Sequence, residues 1–180
     1  MAQFDLLDCY ERASAWTLSK VRGAVGSLDR DTRCDGWAVR TLLNHMLDTQ
    51  RYFIGAARGE DVPPPSPSPP SLLGEDPVAA FERGRSELLG AFARPGVIDK
   101  TGAALGIAFA DQLLHGWDLA TATEQDAAMP EGLADAAFQM IHGRFTDEQR
   151  VGVFKPAVSV PPGASAQEEL LAYTGRDPFS

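Results

Sequence analysis

The chain has 180 residues, of which 44% are hydrophobic, 23% charged and 8% aromatic. That length and apolar content suffice for one domain, residues 1–180, with a core that stands without covalent staples, and they argue against disorder over most of the chain. The formal net charge of −9 argues against a sequence-independent grip on nucleic acid.

Five segments carry helical periodicity and almost none alternates as a strand would. The first runs from about Phe4 to Leu28, with Leu7, Tyr10, Ala13, Leu18, Val21 and Val25 spaced along one side. The second is expected from Trp37 to Ala57, capped by Asp35 and stopped at Gly59, with a stripe of Val39, Leu42, Leu43, Met46, Gln50 and Phe53. Between it and the third lies VPPPSPSPPS, whose prolines at 63–71 fix φ and remove backbone donors, so a long extended crossover is expected there. Asp76 followed by Pro77 reads as a cap with proline in the first turn, opening a third helix that carries Val78, Phe81, Leu88, Leu89 and Phe92. The fourth spans about Ala103 to Thr123 and is apolar on nearly every side, which predicts a buried helix. A shorter fifth is expected from Pro130 to His142, closed by Gly143. The tail, 156–180, reads as an extended strap over Pro156–Pro162, then a short helix opened by Ser165 and Glu168 at capping-box spacing. The expected fold is all-α, a bundle of four principal helices with appended pieces.

Several classes are excluded by what is missing. No apolar run reaches about 18 residues, so no membrane span is expected. The first residues, MAQFDLLDCYERASAW, carry acid where a secretory signal carries base, which predicts a soluble cytoplasmic protein. Cys9 and Cys34 form no CxxC pair, against a disulfide framework or a thiolate zinc finger, and Cys9 reads as a core residue. GxSxG, GxxxxGK[ST] and GxGxxG are all absent. Gly55–Gly59 and Gly102–Gly106 match GxxxG and are read as marks of close packing.

Chemistry concentrates in the fourth segment, ADQLLHGWDLATAT. Asp111 and His115 are four residues apart and share a helical face, with Asp118 three further on and Ala104, Ala108 and Ala122 on the same face leaving room. A buried carboxylate and imidazole need partners. Three readings compete: an internal Asp–His hydrogen bond, a general acid/base pair, or two metal ligands. His45, at the margin of the second helix's apolar stripe, could add a third ligand from a facing helix and leave a fourth position open. It could equally be a rim histidine bonded to a carbonyl. Asp118 could orient a ligand histidine or serve as a ligand itself, near Trp117, while His142 is assigned to the end of its helix, where the dipole favours a cation.

CDGWAVRTLLNHMLDTQ resembles the second-helix motif of the mycothiol-dependent maleylpyruvate isomerase N-terminal domains, and ADQLLHGWDLATAT resembles their later D/E-x-x-x-H helix. The ending, FKPAVSVPPGASAQEELLAYTGRDP, is similar to the tail of an actinobacterial subfamily. The resemblance implies a DinB/YfiT-like four-helix bundle holding a divalent metal, usually zinc with nickel or iron as alternatives, on His45, Asp111 and His115. Aspartate stands at 111 where the isomerase carries glutamate. It further implies mycothiol as cosubstrate. A small electrophilic partner is then expected in a pocket shaped by Tyr52, Phe53 and Ala108, with Asp118 and Trp117 behind the ligands. The function expected is a thiol S-transferase or thiol-assisted isomerase without a protein thiol. A non-catalytic metal-binding or stress-response module and a metal-dependent hydrolase are the alternatives. Partners are small molecules, with no nucleic acid and no membrane; related bundles often pair, which leaves a homodimer open.

Overall fold

The computed structural model describes residues 4–150 and 153–179, apart from the side chains of residues 147 and 149. Helix α1, Leu6–Ala24, is opened by the Asp5 carboxylate, which accepts from the amides of Leu7 and Asp8. It ends four residues before the expected Leu28, in a 3-10 turn over Val25–Ser27.

Helix α2, Val39–Arg58, is not capped by Asp35. The loop before it folds back in an antiparallel bridge between Asp31 and Ala38. Its first amides are thereby satisfied by backbone, Val39 N–H to the Arg30 carbonyl and Arg40 N–H to the Leu28 carbonyl, both at 2.8 Å. Asp35 turns outward instead, to Lys155 Nζ at 2.7 Å. Gly59 closes the helix at φ 73°, a left-handed value that glycine reaches without a Cβ penalty.

The proline-rich crossover has no regular secondary structure and is held along α2 by side chains. The buried Asn44 carbonyl accepts from the amides of Leu72 and Leu73, at 2.6 and 3.1 Å, and Asp48 accepts from Ser66 N–H at 3.1 Å. Helix α3, Pro77–Phe92, has the expected Asp76 cap and leading proline. Helix α4, Val97–Ala122, starts earlier than Ala103 because a first turn after Gly96 joins it across the non-helical Thr101. The Thr101 hydroxyl bonds the Val97 carbonyl at that kink, at 2.8 Å.

The four long helices form a ring in which α1 packs on α4 and α3, and α2 packs on α3 and α4. Apolar stripes from all four meet in two clusters, one around Tyr10, Phe92, Phe109 and Leu113, the other around Leu42, Leu43, Met46 and Phe81. Gly116 lets α1 approach α4 closely: a Cβ there would run into Trp16 and Thr17, and the Thr17 hydroxyl reaches the Gln112 carbonyl at 2.8 Å. One large apolar residue of α4 departs from the expectation of all-round burial. Ile107 is 40% exposed, because that face of the helix opens onto a cavity.

Helix α5, Leu133–Ile141, packs on α4 and is shorter than expected at both ends. His142 stands at its C-terminal cap, with its ring against Phe138 and Tyr173. A single turn, α6, Asp147–Arg150, has no counterpart in the sequence reading. The extended 156–162 segment then runs past α7, Ala166–Tyr173, with Val158 N–H bonded to the Ala172 carbonyl at 2.9 Å. Ser165 and Glu168 make the reciprocal capping box at the start of α7. No helix is long and apolar enough to cross a membrane among the described residues.

Candidate metal centre

A cavity of about 930 Å³ opens between α2, α4 and the segments after α5. From α2 it receives His45, Thr49, Tyr52 and Phe53, which recur at one helical face. From α4 it receives Ile107, Ala110, Asp111, Leu114, His115 and Asp118. Pro64 and Pro65 of the crossover, Cys34 and Trp37 of the loop before α2, Phe145, Phe154 and Lys155, and residues 174–177 add to the wall.

Three of the predicted residues converge there. A nitrogen of His45, a nitrogen of His115 and a carboxylate oxygen of Asp111 all lie within 4.8 Å of one another. The two imidazoles meet edge to face, with centroids 5.0 Å apart, and Trp37 flanks His45 at 4.8 Å. His115 Nε2 faces Asp111 Oδ1 at 3.4 Å. His45 Nδ1 and Asp111 Oδ2 are buried and have no hydrogen-bond partner among the described residues. An unmet buried polar atom costs about 1–3 kcal/mol, so this corner is incomplete as it stands.

The other face of His115 is fully engaged. Its Nδ1 lies 3.0 Å from Asp118 Oδ2. Asp118 in turn accepts a two-pronged grip from Arg176, Nε to Oδ1 at 2.8 Å and Nη2 to Oδ2 at 2.7 Å. The Asp118 side chain is 1% exposed and Arg176 15%, so this is a buried ion pair. Cys34 also lines the cavity, with Sγ 3.5 Å from Asp118 Oδ2.

These neighbours set the charge states. Burial, followed by the charge on His115, pushes the His45 pKa down to about 4, so its imidazole is neutral with a lone pair free. Burial alone would lower His115 too, but Asp111 and the hydrogen bonds with Asp118 and Cys34 outweigh it and raise its pKa to about 10. Burial likewise opposes the Asp118 carboxylate, yet the Arg176 charge and the bonds from His115 and Arg176 hold its pKa far below the usual range.

A divalent cation, as the fold class implies, fits the His45–Asp111–His115 corner. Its donors are two imidazoles and one carboxylate, the borderline nitrogen and oxygen set that zinc, nickel and iron accept. Two of its buried atoms lack any other partner among the described residues. A second group, Cys34, His115 and Asp118, also lies within 4.8 Å, but Arg176 already neutralises its carboxylate.

The remaining predicted residues are placed as follows. Tyr52 and Phe53 line the cavity, whereas Ala108 is packed in the core and Ala110 takes the wall position. Ala108 sits on the flank of α4 turned toward the bundle interior, a rotation too small for periodicity to resolve. Trp117 is also in the core, away from the cavity wall, with the Arg33 guanidinium over its ring at 5.4 Å. Cys9 is buried in the core. Cys34, which the sequence shows only as lacking a CxxC partner, is brought by the fold beside His115, Asp118 and Arg176. Arg176 itself was missed, because nothing local in GRDP points to a partner on α4.

Bundle and site together define an all-α, DinB-like protein with a cavity whose floor carries groups suited to a metal ion. The family model of the mycothiol maleylpyruvate isomerase N-terminal domain matches residues 11–147, and the chain belongs to that family. No curated protein and no solved structure matches the chain.

Proposed function

We propose that this protein binds one divalent cation, zinc in the first instance, on His45, Asp111 and His115, and that it acts on a small thiol of the mycothiol class together with an electrophilic substrate. The observation that carries the reading is the corner of three mutually close donors with two buried, unpartnered atoms at the floor of a cavity. The ion's contribution when bound is to stabilise a coordinated thiol as thiolate at neutral pH.

The chain's own residues supply the rest. Neutral His45 offers a lone pair without first losing a proton at neutral pH. Asp118 orients His115 and Asp111 supplies one negative charge, which leaves a positive site on which an anionic sulfur gains energy. Trp37, Tyr52, Phe53, Leu114 and Phe154 line the cavity with apolar surface, excluding water and favouring an apolar electrophile. The family match supports the thiol as cosubstrate. Transfer of the thiol sulfur, or isomerisation assisted by it, is the reaction class proposed.

Metal analysis of the purified protein and a thiol-consumption assay test this. One zinc per chain is expected, with mycothiol consumed against 1-chloro-2,4-dinitrobenzene, abolished by chelation and restored by zinc. His115→Ala should remove stoichiometric metal while preserving the helical spectrum; full metal content in that variant would refute the ligand set. Metal without turnover would leave a binding module, and metal-dependent hydrolysis without thiol would make the protein a hydrolase.

A further inference from the structure

We propose that Arg176 is a positioning residue that decides which side of His115 can meet a cation, excluding the second donor group formed by Cys34, His115 and Asp118. The proposal rests on the metal reading above and deepens it. Two groups of candidate donors share His115, one using His45 and Asp111, the other Cys34 and Asp118. By donor chemistry alone the second is the stronger trap for zinc, because a thiolate is a softer and better ligand than a second imidazole.

Arg176 removes that advantage in two ways. Its charge is spent on Asp118, so a cation arriving there would meet a guanidinium instead of a free carboxylate. Its fork also holds both Asp118 oxygens, which fixes Oδ2 opposite His115 Nδ1. A cation must displace a proton from His115, and with Nδ1–H kept by a held carboxylate the proton given up is the one on Nε2, the nitrogen that faces Asp111. Nη1 of the same guanidinium lies 3.2 Å from the Thr174 hydroxyl, which anchors the fork to the end of α7. Arg176 lies beyond the residues that match the family model, so the device belongs to the segment this chain folds over the site.

Cobalt substitution of the full chain reads the donor set directly, since a bound thiolate gives an intense near-ultraviolet charge-transfer band that nitrogen and oxygen ligands do not. Wild-type protein should bind one cobalt without that band. Arg176→Met should gain it, Arg176→Met with Cys34→Ser should lose it again, and Arg176→Lys, which keeps the charge, should remain without it. Arg176→Gln carries the same expectation as Met should the latter fail to fold. A thiolate band in the wild type, or none in the uncharged variants, overturns the proposal while leaving the metal reading intact. Failure of the wild type to bind cobalt or zinc overturns both. A purely structural role for Arg176 would shift the melting temperature and leave the band absent throughout.

Discussion

Removing His45 isolates the metal question from the rest of the fold. Its ring is held by Trp37 and His115, at centroid distances of 4.8 and 5.0 Å, and its Nε2 lies 3.5 Å from the Thr49 hydroxyl. His45→Ala therefore costs the metal-free protein contacts and no charge partner, about 1–2 kcal/mol. For a chain of this length that lowers the melting temperature by roughly 2–8 °C. Zinc linkage is larger. Free zinc at about 100 times its dissociation constant stabilises the folded state by about 2.7 kcal/mol, which raises the wild-type melting temperature by roughly 5–11 °C. With one of three donors gone, the rise in His45→Ala should shrink to under about 2 °C at the same zinc concentration, by the same linkage relation. Differential scanning fluorimetry of chelator-treated protein, with zinc titrated back, measures both quantities. An undiminished zinc-induced rise in His45→Ala would refute the ligand assignment, whatever the metal-free protein does.

Burial raises the pKa of the Cys9 thiol, whereas Cys34 opens to the cavity, so Ellman's reagent should titrate the two in well-separated phases. Only the fast phase should vanish in Cys34→Ser; loss of the slow phase instead would place Cys34 wrongly. Gly116→Ala gains helix propensity of up to about 1 kcal/mol but drives a Cβ into Trp16 and Thr17, and overpacking of about 1–3 kcal/mol should win. A stabilised Gly116→Ala would show that α1 and α4 can separate without penalty. Asn44→Ala strands the amides of Leu72 and Leu73 and should cost about 1–3 kcal/mol in urea denaturation. An unchanged midpoint would mean the proline-rich crossover is not secured to α2 by that carboxamide.

The bundle was legible because its helices repeat apolar residues at a period no strand shares, and because Asp76–Pro77, Gly59 and Ser165–Glu168 are local signals read by the backbone beside them. The ends that went astray were decided by other chain segments. Asp35 looks like a cap until the loop before α2 supplies carbonyls in its place, and Thr101 hides a kink inside an otherwise continuous apolar pattern. At the site, the four-residue spacing of Asp111 and His115 placed two donors on one face, and His45 faces them from the neighbouring helix. Cys34 and Arg176 were invisible for the opposite reason. Their importance comes entirely from contact with α4, which no spacing within CDGW or GRDP encodes. Ala108 and Trp117 show the limit of helical projection, since a fraction of a turn separates a cavity wall from the core.

The buried Asp118–Arg176 pair is a poor investment for stability alone. Taking both charges out of water costs several kcal/mol per ion, and their attraction at close range roughly offsets it. Replacing both by apolar side chains of similar size recovers up to about 1–4 kcal/mol, against about 1–3 kcal/mol for the His115 nitrogen left without its acceptor, so the metal-free protein should stay close to the wild type in stability. Asp118→Leu with Arg176→Met is the matching double variant. His115 Nδ1 would then lose its acceptor, the ring would no longer be aimed, and zinc should bind about 10–100-fold more weakly. Metal affinity is expected to fall while stability changes little. Either single substitution should instead destabilise the fold, because each strands the partner's charge. Paired melting curves and chelator-competition titrations on the double variant decide the point. A double variant that unfolds well below the wild type would make the pair a structural clamp; one that keeps full zinc affinity would mean that His115 is oriented by Asp111 and packing alone.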